Sequence, residues 1–170
     1  DWRHDVAAAL ALDVEHLSTY CLTIEEGTRL GRRETPPPDD ATAEAMWDLT
    51  DEMAAGYGLR RYEISNFCRV GAACRHNVAI WLGDTYAGCG PAASSFDGVR
   101  RWRNPASLDA WLRGRPPDID DLPAPARAAE ILAFGLRLRR GWSRRRFEEV
   151  TGFNLFELRG PVLHGLAEQG

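Results

Sequence analysis

The chain has 170 residues, is 44% hydrophobic and carries a formal net charge of −4. This size allows one domain or two small ones with a buried core, and the negative charge gives no basic field that would favour nucleic acid or anionic membranes. All basic residues are arginine, so no lysine is present for Schiff-base chemistry.

The first two thirds of the sequence alternate between helical and strand-like patterns. Apolar spacing predicts a helix over residues 2–12, and β-rich composition then predicts a strand over 16–24. A glycine- and proline-rich loop leads to an amphipathic helix over 40–57, for which an aspartate pair offers a cap. A second strand is predicted at 61–67 and a weaker one at 84–90. Strand, helix and strand joined by so long a link predict a parallel βαβ crossover, hence an α/β fold.

The last third of the sequence has a different character. Prolines concentrate in "GRPPDIDDLPAP", which predicts a linker at 116–125 after a first domain over 1–115. The pattern of residues 126–170 predicts three short helices, one of them capped by Ser143. Three short helices in series resemble a helix-turn-helix or winged-helix core.

The cellular location is predicted from three sequence features: apolar runs, the N-terminal segment and the cysteines. No run approaches the roughly 20 apolar residues that cross a bilayer, and the charged start does not resemble a secretory signal. Four scattered cysteines do not make a disulfide framework. We therefore expect a cytoplasmic protein.

The sharpest metal candidate is the segment that contains Cys68, Cys74 and His76. A structural zinc site normally uses two close pairs of ligands, and this spacing does not match that pattern. Free thiols are the favoured interpretation.

Two carboxylates, Glu25 and Glu63, fall at the end of the first predicted strand and within the second. In a parallel sheet both can approach the carboxyl edge, where they could orient ribose hydroxyls, bind an ammonium group or share a proton. The alternative is that Glu63 pairs with Arg60 or Arg61, and the residues alone do not decide between the two.

Residues 86–95, "YAGCGPAASS", form a glycine-rich turn. Its amides could bind a carboxylate or phosphate, but the pattern is neither a dinucleotide fingerprint nor a P-loop, so a tight structural turn is favoured.

His76, Asn77 and Trp81 combine an imidazole, an amide and a flat aromatic within six residues. An imidazole can bind haem iron and an indole can stack on a macrocycle, although a lone histidine is more often a loop residue.

Arginines cluster between 137 and 146 and raise the question of DNA binding. Docking against the rest of the same polypeptide is favoured.

Several segments, in their order along the chain, resemble the C-terminal half of the oxygen-independent coproporphyrinogen III oxidase (HemN) family of radical S-adenosylmethionine (SAM) proteins. These segments are "HLSTYCLTIEEGTRLGRR", "RRYEISNFCRVGAACRHN", "YAGCGPAASSF" and "EILAFGLRLRRGWSRRRFEEVTG". The HemW-like, haem-chaperone branch is the closer match. The chain begins without methionine, and we expect it to be a fragment or a truncated gene product.

The resemblance implies a partial (β/α)6 radical-SAM barrel over 1–115 and a small, truncated HemN-type helical domain over 126–170. The intact family binds a [4Fe-4S] cluster through C-x3-C-x2-C, with SAM beside it. That motif does not occur among cysteines 21, 68, 74 and 89, so we expect this chain alone to bind no cluster and to be catalytically inactive.

The resemblance also implies roles for individual residues. Thr23 falls where the family contacts SAM, with Glu25 following, and the turn Gly88, Cys89, Gly90 and Pro91 matches the family's G-L-G-P-G-A-H-S turn. In that turn Ala92 replaces glycine and Ser94 replaces histidine.

The H-N-x-x-Y-W motif of the HemW-like branch, associated with haem binding, is matched by His76, Asn77 and Trp81. Ile80 replaces its tyrosine. His76 is thereby the expected haem-iron ligand.

The sequence is compatible with three functions. The first is part of a HemW-like haem chaperone that binds haem or porphyrin, with the missing N-terminal half of the barrel and haem-accepting proteins as partners. The second is oxygen-independent coproporphyrinogen III oxidase, which decarboxylates propionates. The third is a non-catalytic binding module.

Overall fold

The computed structural model describes residues 1–32 and 36–169, so part of the predicted loop before residue 40 lies outside the described residues. It contains two compact units, Asp1–Cys74 and Arg75–Gly170. Each unit combines helices with a small sheet, as expected for the predicted mixed α/β class. The domain boundary expected at 116–125 stays a prediction.

The helices of the first unit lie close to their predicted positions. Helix α1 spans Trp2–Leu10 and helix α2 spans Asp40–Gly56, close to their predicted limits. Helix α2 begins at residue 40 because the Asp39 side chain accepts a hydrogen bond from the Thr42 amide at 2.7 Å. The predicted aspartate cap is thus confirmed.

The sheet of the first unit is antiparallel, and the predicted parallel crossover is wrong. Strands β1 (His16–Ser18), β2 (Arg60–Arg61) and β3 (Asn66–Cys68) lie in the order β1-β3-β2, and both pairs are antiparallel. The predicted strand over 61–67 folds back on itself, where the Tyr62 amide donates to the Asn66 carbonyl at 3.0 Å. This hairpin puts β3 rather than β2 beside β1.

Strand β1 is much shorter than the predicted strand over 16–24. The Thr19 amide donates to the Ser65 carbonyl at 2.8 Å, and the chain then continues without regular secondary structure through Glu25. The core of this unit lies between the helices and the sheet. Its buried residues are Val6, Leu10, Ala54, Leu59 and Phe67.

The second unit opens with helix α3, Arg75–Trp81, and contains a second antiparallel sheet. Its strands β4 (Ser94–Phe96), β5 (Arg101–Arg103) and β6 (Asp118–Asp120) lie in that order. The predicted strand at 84–90 is reduced to one bridge between Tyr86 and Phe96.

Strand β6 lies within the segment predicted as a linker. It pairs there because Asp120 lies opposite Arg101 and Asp118 opposite Arg103, and opposite charges stabilise cross-strand neighbours.

Four helices complete the second unit: α4 (Leu108–Leu112), α5 (Ala124–Gly135), α6 (Arg144–Thr151) and α7 (Leu155–Glu168). The last three are the helices predicted beyond residue 126. The predicted cap is also confirmed, because the Ser143 hydroxyl accepts from the Arg146 amide at 3.2 Å.

The core of the second unit is centred on α5 and α6. Ala128, Leu132 and Phe147 are buried there, and Trp142 meets Phe147 edge-on with ring centroids 5.5 Å apart. Across residues 1–32 and 36–169, none of the helices combines the length and apolar composition that a membrane span needs.

Candidate functional site

Helix α3 carries the candidate haem-side residues of the second unit. His76 is exposed, whereas Asn77, Ile80 and Trp81 are half-buried. Residues four apart share a face of a helix, so His76 lies one turn from Ile80, and Asn77 lies one turn from Trp81. The imidazole is therefore accessible beside a partly apolar surface.

A cavity of about 310 Å³ lies at the end of α3. It is lined on one side by Ile80 and Trp81 and on another by Ser94, which begins β4. The structure thus brings the H-N-x-x-x-W segment, which forms helix α3, and the end of the glycine-rich turn to the wall of one cavity.

Two arginines and several aromatic rings complete this cavity. The Arg137 guanidinium carbon lies 5.4 Å from the Trp81 ring centroid, and that of Arg101 lies 5.4 Å from the Phe134 centroid. Arg101 also makes a two-pronged ion pair with Glu130 at 2.5 and 2.7 Å. Hydrogen bonding to Glu130 raises the pKa of the Arg101 guanidinium, which keeps it charged. Flat apolar walls beside guanidinium groups suit a planar molecule with acidic substituents.

Sequence reasoning missed most of this cavity. The sequence marks Arg137 only as part of a basic cluster and Tyr86 only as part of the glycine-rich turn. The others have no candidate role in the sequence, because β4, β5 and α5 bring them together only in the folded chain. The missed lining residues are Tyr86, Phe96, Arg101, Ile131, Phe134 and Arg137.

The glycine-rich turn is held by hydrogen bonds within the protein. The Gly88 amide donates to the Ser95 hydroxyl at 2.9 Å, and the Asn104 amide group donates to the Gly90 carbonyl at 2.9 Å. A Cβ atom on Gly88 would lie 2.2 Å from the Ser94 carbonyl oxygen, so only glycine fits. These bonds support a structural turn, and ligand contact by Gly88, Gly90 and Pro91 stays a prediction.

In the first unit, Glu63 is fully buried and not at an open sheet edge. One of its carboxylate oxygens accepts from the Ser65 amide and from the Asn66 side-chain amide, both at 2.5 Å. The Asn66 oxygen in turn accepts from the Ser18 hydroxyl at 2.5 Å. This network fastens the β2–β3 hairpin to β1, which gives Glu63 a structural role.

Thr23 and Glu25 lie in the exposed segment after β1. The Glu25 carbonyl oxygen accepts a hydrogen bond from the Thr28 hydroxyl at 2.8 Å. One carboxylate is therefore exposed and the other buried, so the sharing of a ligand by Glu25 and Glu63 stays a prediction. Arg61, one alternative partner for Glu63, pairs with Asp51 at 3.0 Å.

The four cysteines are free thiols. Cys68 is buried in β3, and burial raises the pKa of its thiol. Within the described ranges, no three His, Cys, Asp or Glu side chains are grouped so that they could hold a metal ion.

The sequence is similar to those of known proteins over nearly the whole chain. The chain is 34% identical to "Heme chaperone HemW" of Mycobacterium tuberculosis (strain CDC 1551 / Oshkosh), over 96% of this chain and 46% of the relative. It is 31% identical to "Heme chaperone HemW" of Bacillus subtilis (strain 168), over 99% of this chain and 47% of that protein. No family model matches the sequence.

The fold has a solved counterpart in "Coproporphyrinogen III oxidase (HemN) from Escherichia coli is a Radical SAM enzyme". The TM-score is 0.74 with 13% identity, over 97% of this chain and 44% of that one. The chain thus spans about half the length of the relatives it matches. On these similarities of sequence and fold, the chain belongs to the HemW and HemN family of radical SAM proteins.

Proposed function

We propose that the chain is the C-terminal part of a HemW-like haem chaperone and that it contributes the porphyrin side of the haem site. His76 is the proposed iron ligand, Asn77 and Trp81 shape its surroundings, and the cavity beyond Ile80 takes one edge of the macrocycle. Haem or porphyrin is the ligand, and haem-accepting proteins are the proposed partners. The cytoplasmic location predicted from the sequence belongs to the same proposal.

The observation that carries this proposal is the environment of α3. An accessible imidazole stands one helical turn from an aromatic cavity that also contains the guanidinium groups of Arg101 and Arg137. Imidazole nitrogen binds haem iron, aromatic rings stack on a porphyrin, and the positive charge of Arg137 attracts carboxylates such as propionates, whereas the Arg101 guanidinium already pairs with Glu130. The three chemistries required by haem occur in one unit.

The other cofactors of the intact family fit this chain less well. Within the described residues no cysteine group could hold a [4Fe-4S] cluster, and the proposal assigns that cluster to the remainder of the protein. For SAM, Thr23 and Glu25 are exposed and free to face a ligand, whereas the Gly88 amide is already bonded to Ser95. When bound together, the cluster and SAM supply radical chemistry.

The second candidate function is coproporphyrinogen III oxidase, and the similarity of fold to the solved HemN structure favours it. At 13% identity that similarity concerns the fold. The H-N-x-x-x-W pattern on α3 and the stronger sequence similarity to haem chaperones favour the first proposal.

The test is a titration of ferric haem into the chain, followed by the Soret absorption band. His4→Ala is a matched control, because His4 is also an exposed helical histidine but lies in α1. We expect the wild type and His4→Ala to shift the band alike and His76→Ala to lose the shift while keeping its circular dichroism spectrum. A full shift in His76→Ala would refute the ligand assignment.

A further inference from the structure

The first unit contains a cavity of about 530 Å³ that plays no part in the proposed haem site. It lies between helix α2 and the segment that follows β1. Its walls are largely apolar and aromatic, and they include Trp2, Tyr20, Met46, Trp47 and Arg61. A cavity of this size holds a small organic molecule.

Arg61 is the polar group that distinguishes this cavity. Its side chain is only 8% exposed, and its guanidinium lies over the Trp47 ring at 3.8 Å and the Phe67 ring at 4.5 Å. The Nε atom donates to both Asp51 oxygens at 3.0 and 3.1 Å, and Nη1 donates to the Ile64 carbonyl. The guanidinium is thereby fixed in place.

One nitrogen of this fixed group has no acceptor. Nη2 of Arg61 is buried and has no hydrogen-bond partner among residues 1–32 and 36–169. A buried donor without an acceptor is costly, and such groups are rare in folded proteins. Because Arg61 lines the cavity, an oxygen atom placed inside the cavity would complete its hydrogen bonding.

Two other polar groups of the wall, on Trp2 and Thr50, are bonded to the protein itself. The Trp2 indole N–H donates to the Met46 carbonyl and to the Thr50 hydroxyl, both at 3.0 Å. The Thr50 hydroxyl donates to the Met46 carbonyl at 2.7 Å. These bonds hold the Trp2 ring in place, whereas Arg61 Nη2 is a buried donor at the same cavity that a ligand oxygen could satisfy.

Charge decides what kind of oxygen fits. Asp51 already neutralises Arg61, and Asp40 adds a further carboxylate at the cavity wall. A second anion would be repelled by these carboxylates, whereas a neutral carbonyl would not. We propose that this cavity binds an uncharged molecule that combines an aromatic or other apolar body with a carbonyl oxygen, which accepts a hydrogen bond from Arg61 Nη2.

Three probes of one shape test this proposal: 1-naphthamide, 1-methylnaphthalene and 1-naphthoate. Binding to the chain is followed by NMR, on the indole N–H signals of Trp2 and Trp47 and on the Nε–H signal of Arg61. We expect the amide to bind at least about tenfold more tightly than the methyl compound, because a hydrogen bond to a charged donor is worth that much. The naphthoate should bind more weakly than the amide.

Two variants provide the matched comparison. Ala43→Phe fills the cavity, whereas Ala45→Phe adds the same ring to an exposed position of α2. We expect at least a tenfold loss of amide binding in the first variant and none in the second. Equal binding of amide and methyl compound by the unmodified chain would overturn the proposal even if Ala43→Phe failed to fold. Tighter binding of the naphthoate would overturn the neutral-ligand assignment.

Discussion

Ala92 has a left-handed backbone conformation, with φ of 59°, in the turn that leads into β4. Its amide donates to the Pro105 carbonyl at 3.0 Å and its carbonyl accepts from the Arg103 side chain at 3.2 Å, so the surrounding structure fixes this conformation. A Cβ atom makes the left-handed region costly by roughly 1–2 kcal/mol. This is the position at which the resemblance to the family leads one to expect glycine.

We predict that Ala92→Gly stabilises the chain by about 0.5–1 kcal/mol, because relief of the strained conformation outweighs the added freedom of glycine in the unfolded state. Urea denaturation measures the change. Ala106→Gly is the control, because Ala106 is an exposed loop residue without a positive φ, and it should show no gain. A loss of stability in Ala92→Gly would refute the inference that the backbone at Ala92 is strained.

Individual residues differ in how far the sequence predicts them. The caps Asp39 and Ser143 were predictable because a cap bonds to an amide three residues away. The role of Glu63 was not, because its partner Asn66 belongs to a hairpin that the pattern "RYEISNF" does not reveal. Arg61 likewise pairs with Asp51, ten residues away on α2, and no local motif marks that contact.

At the scale of elements, helix α2 depends on its cap at Asp39. Hydrogen bonds from Thr42 lower the pKa of the Asp39 carboxyl. A carboxyl group with a lower pKa in the folded state stabilises that state above its unfolded pKa, and this contribution is lost as the pH falls through the folded value. The charge-dependent contribution of the cap is therefore fully present at neutral pH and is lost progressively as the pH falls below about 4.

Asp39→Asn tests this pH dependence, since asparagine also caps a helix but does not titrate. We predict that the thermal midpoint of the wild type equals or exceeds that of Asp39→Asn at pH 6, and that any advantage shrinks or reverses at pH 3. Far-ultraviolet circular dichroism measures both midpoints. A difference between the two proteins that stays constant with pH would contradict the assignment.

The contact between α5 and Trp142 needs a glycine within a helix. A Cβ atom on Gly135 would lie 1.9 Å from Nε1 of Trp142, whose N–H donates to the Leu132 carbonyl at 3.2 Å. The indole therefore lies directly against the backbone of α5, and this close approach positions α5 against the loop before α6.

We predict that Gly135→Ala destabilises the chain by about 2 kcal/mol through overpacking, although alanine favours helices. Gly165→Ala is the matched control, because Gly165 also lies within a helix of the second unit and a Cβ there meets nothing within 4 Å. Chemical denaturation followed by tryptophan fluorescence distinguishes the two. Equal stability of Gly135→Ala and wild type would contradict the packing described.

Helices were predicted better than strands, and the reason is physical. The apolar periodicity of α2, α5 and α6 is a property of neighbouring residues, and each helix was found near its predicted position. The strands have only two or three residues and are held by distant partners, as in the pairing of Leu17 with Phe67. Their direction and length therefore could not be read from local composition.

At the scale of the whole molecule, family membership was predictable because several phrases in order carry more information than any one motif. The candidate site was predicted in part. The sequence pointed to His76, Asn77 and Trp81, whereas Phe96, Arg101 and Phe134 of the adjacent cavity come from β4, β5 and α5 and depend on tertiary folding. The aromatic rings and the guanidinium groups of this cavity add stacking surfaces and positive charge to the proposed haem site.

The haem dissociation constants of His76→Ala and His4→Ala test the proposal that His76 binds haem iron in this chain. We predict that His4→Ala binds like the wild type and that His76→Ala binds at least about tenfold more weakly, as expected when a coordinate bond is lost. Equal dissociation constants for the two folded variants would contradict the assignment of His76 as the iron ligand.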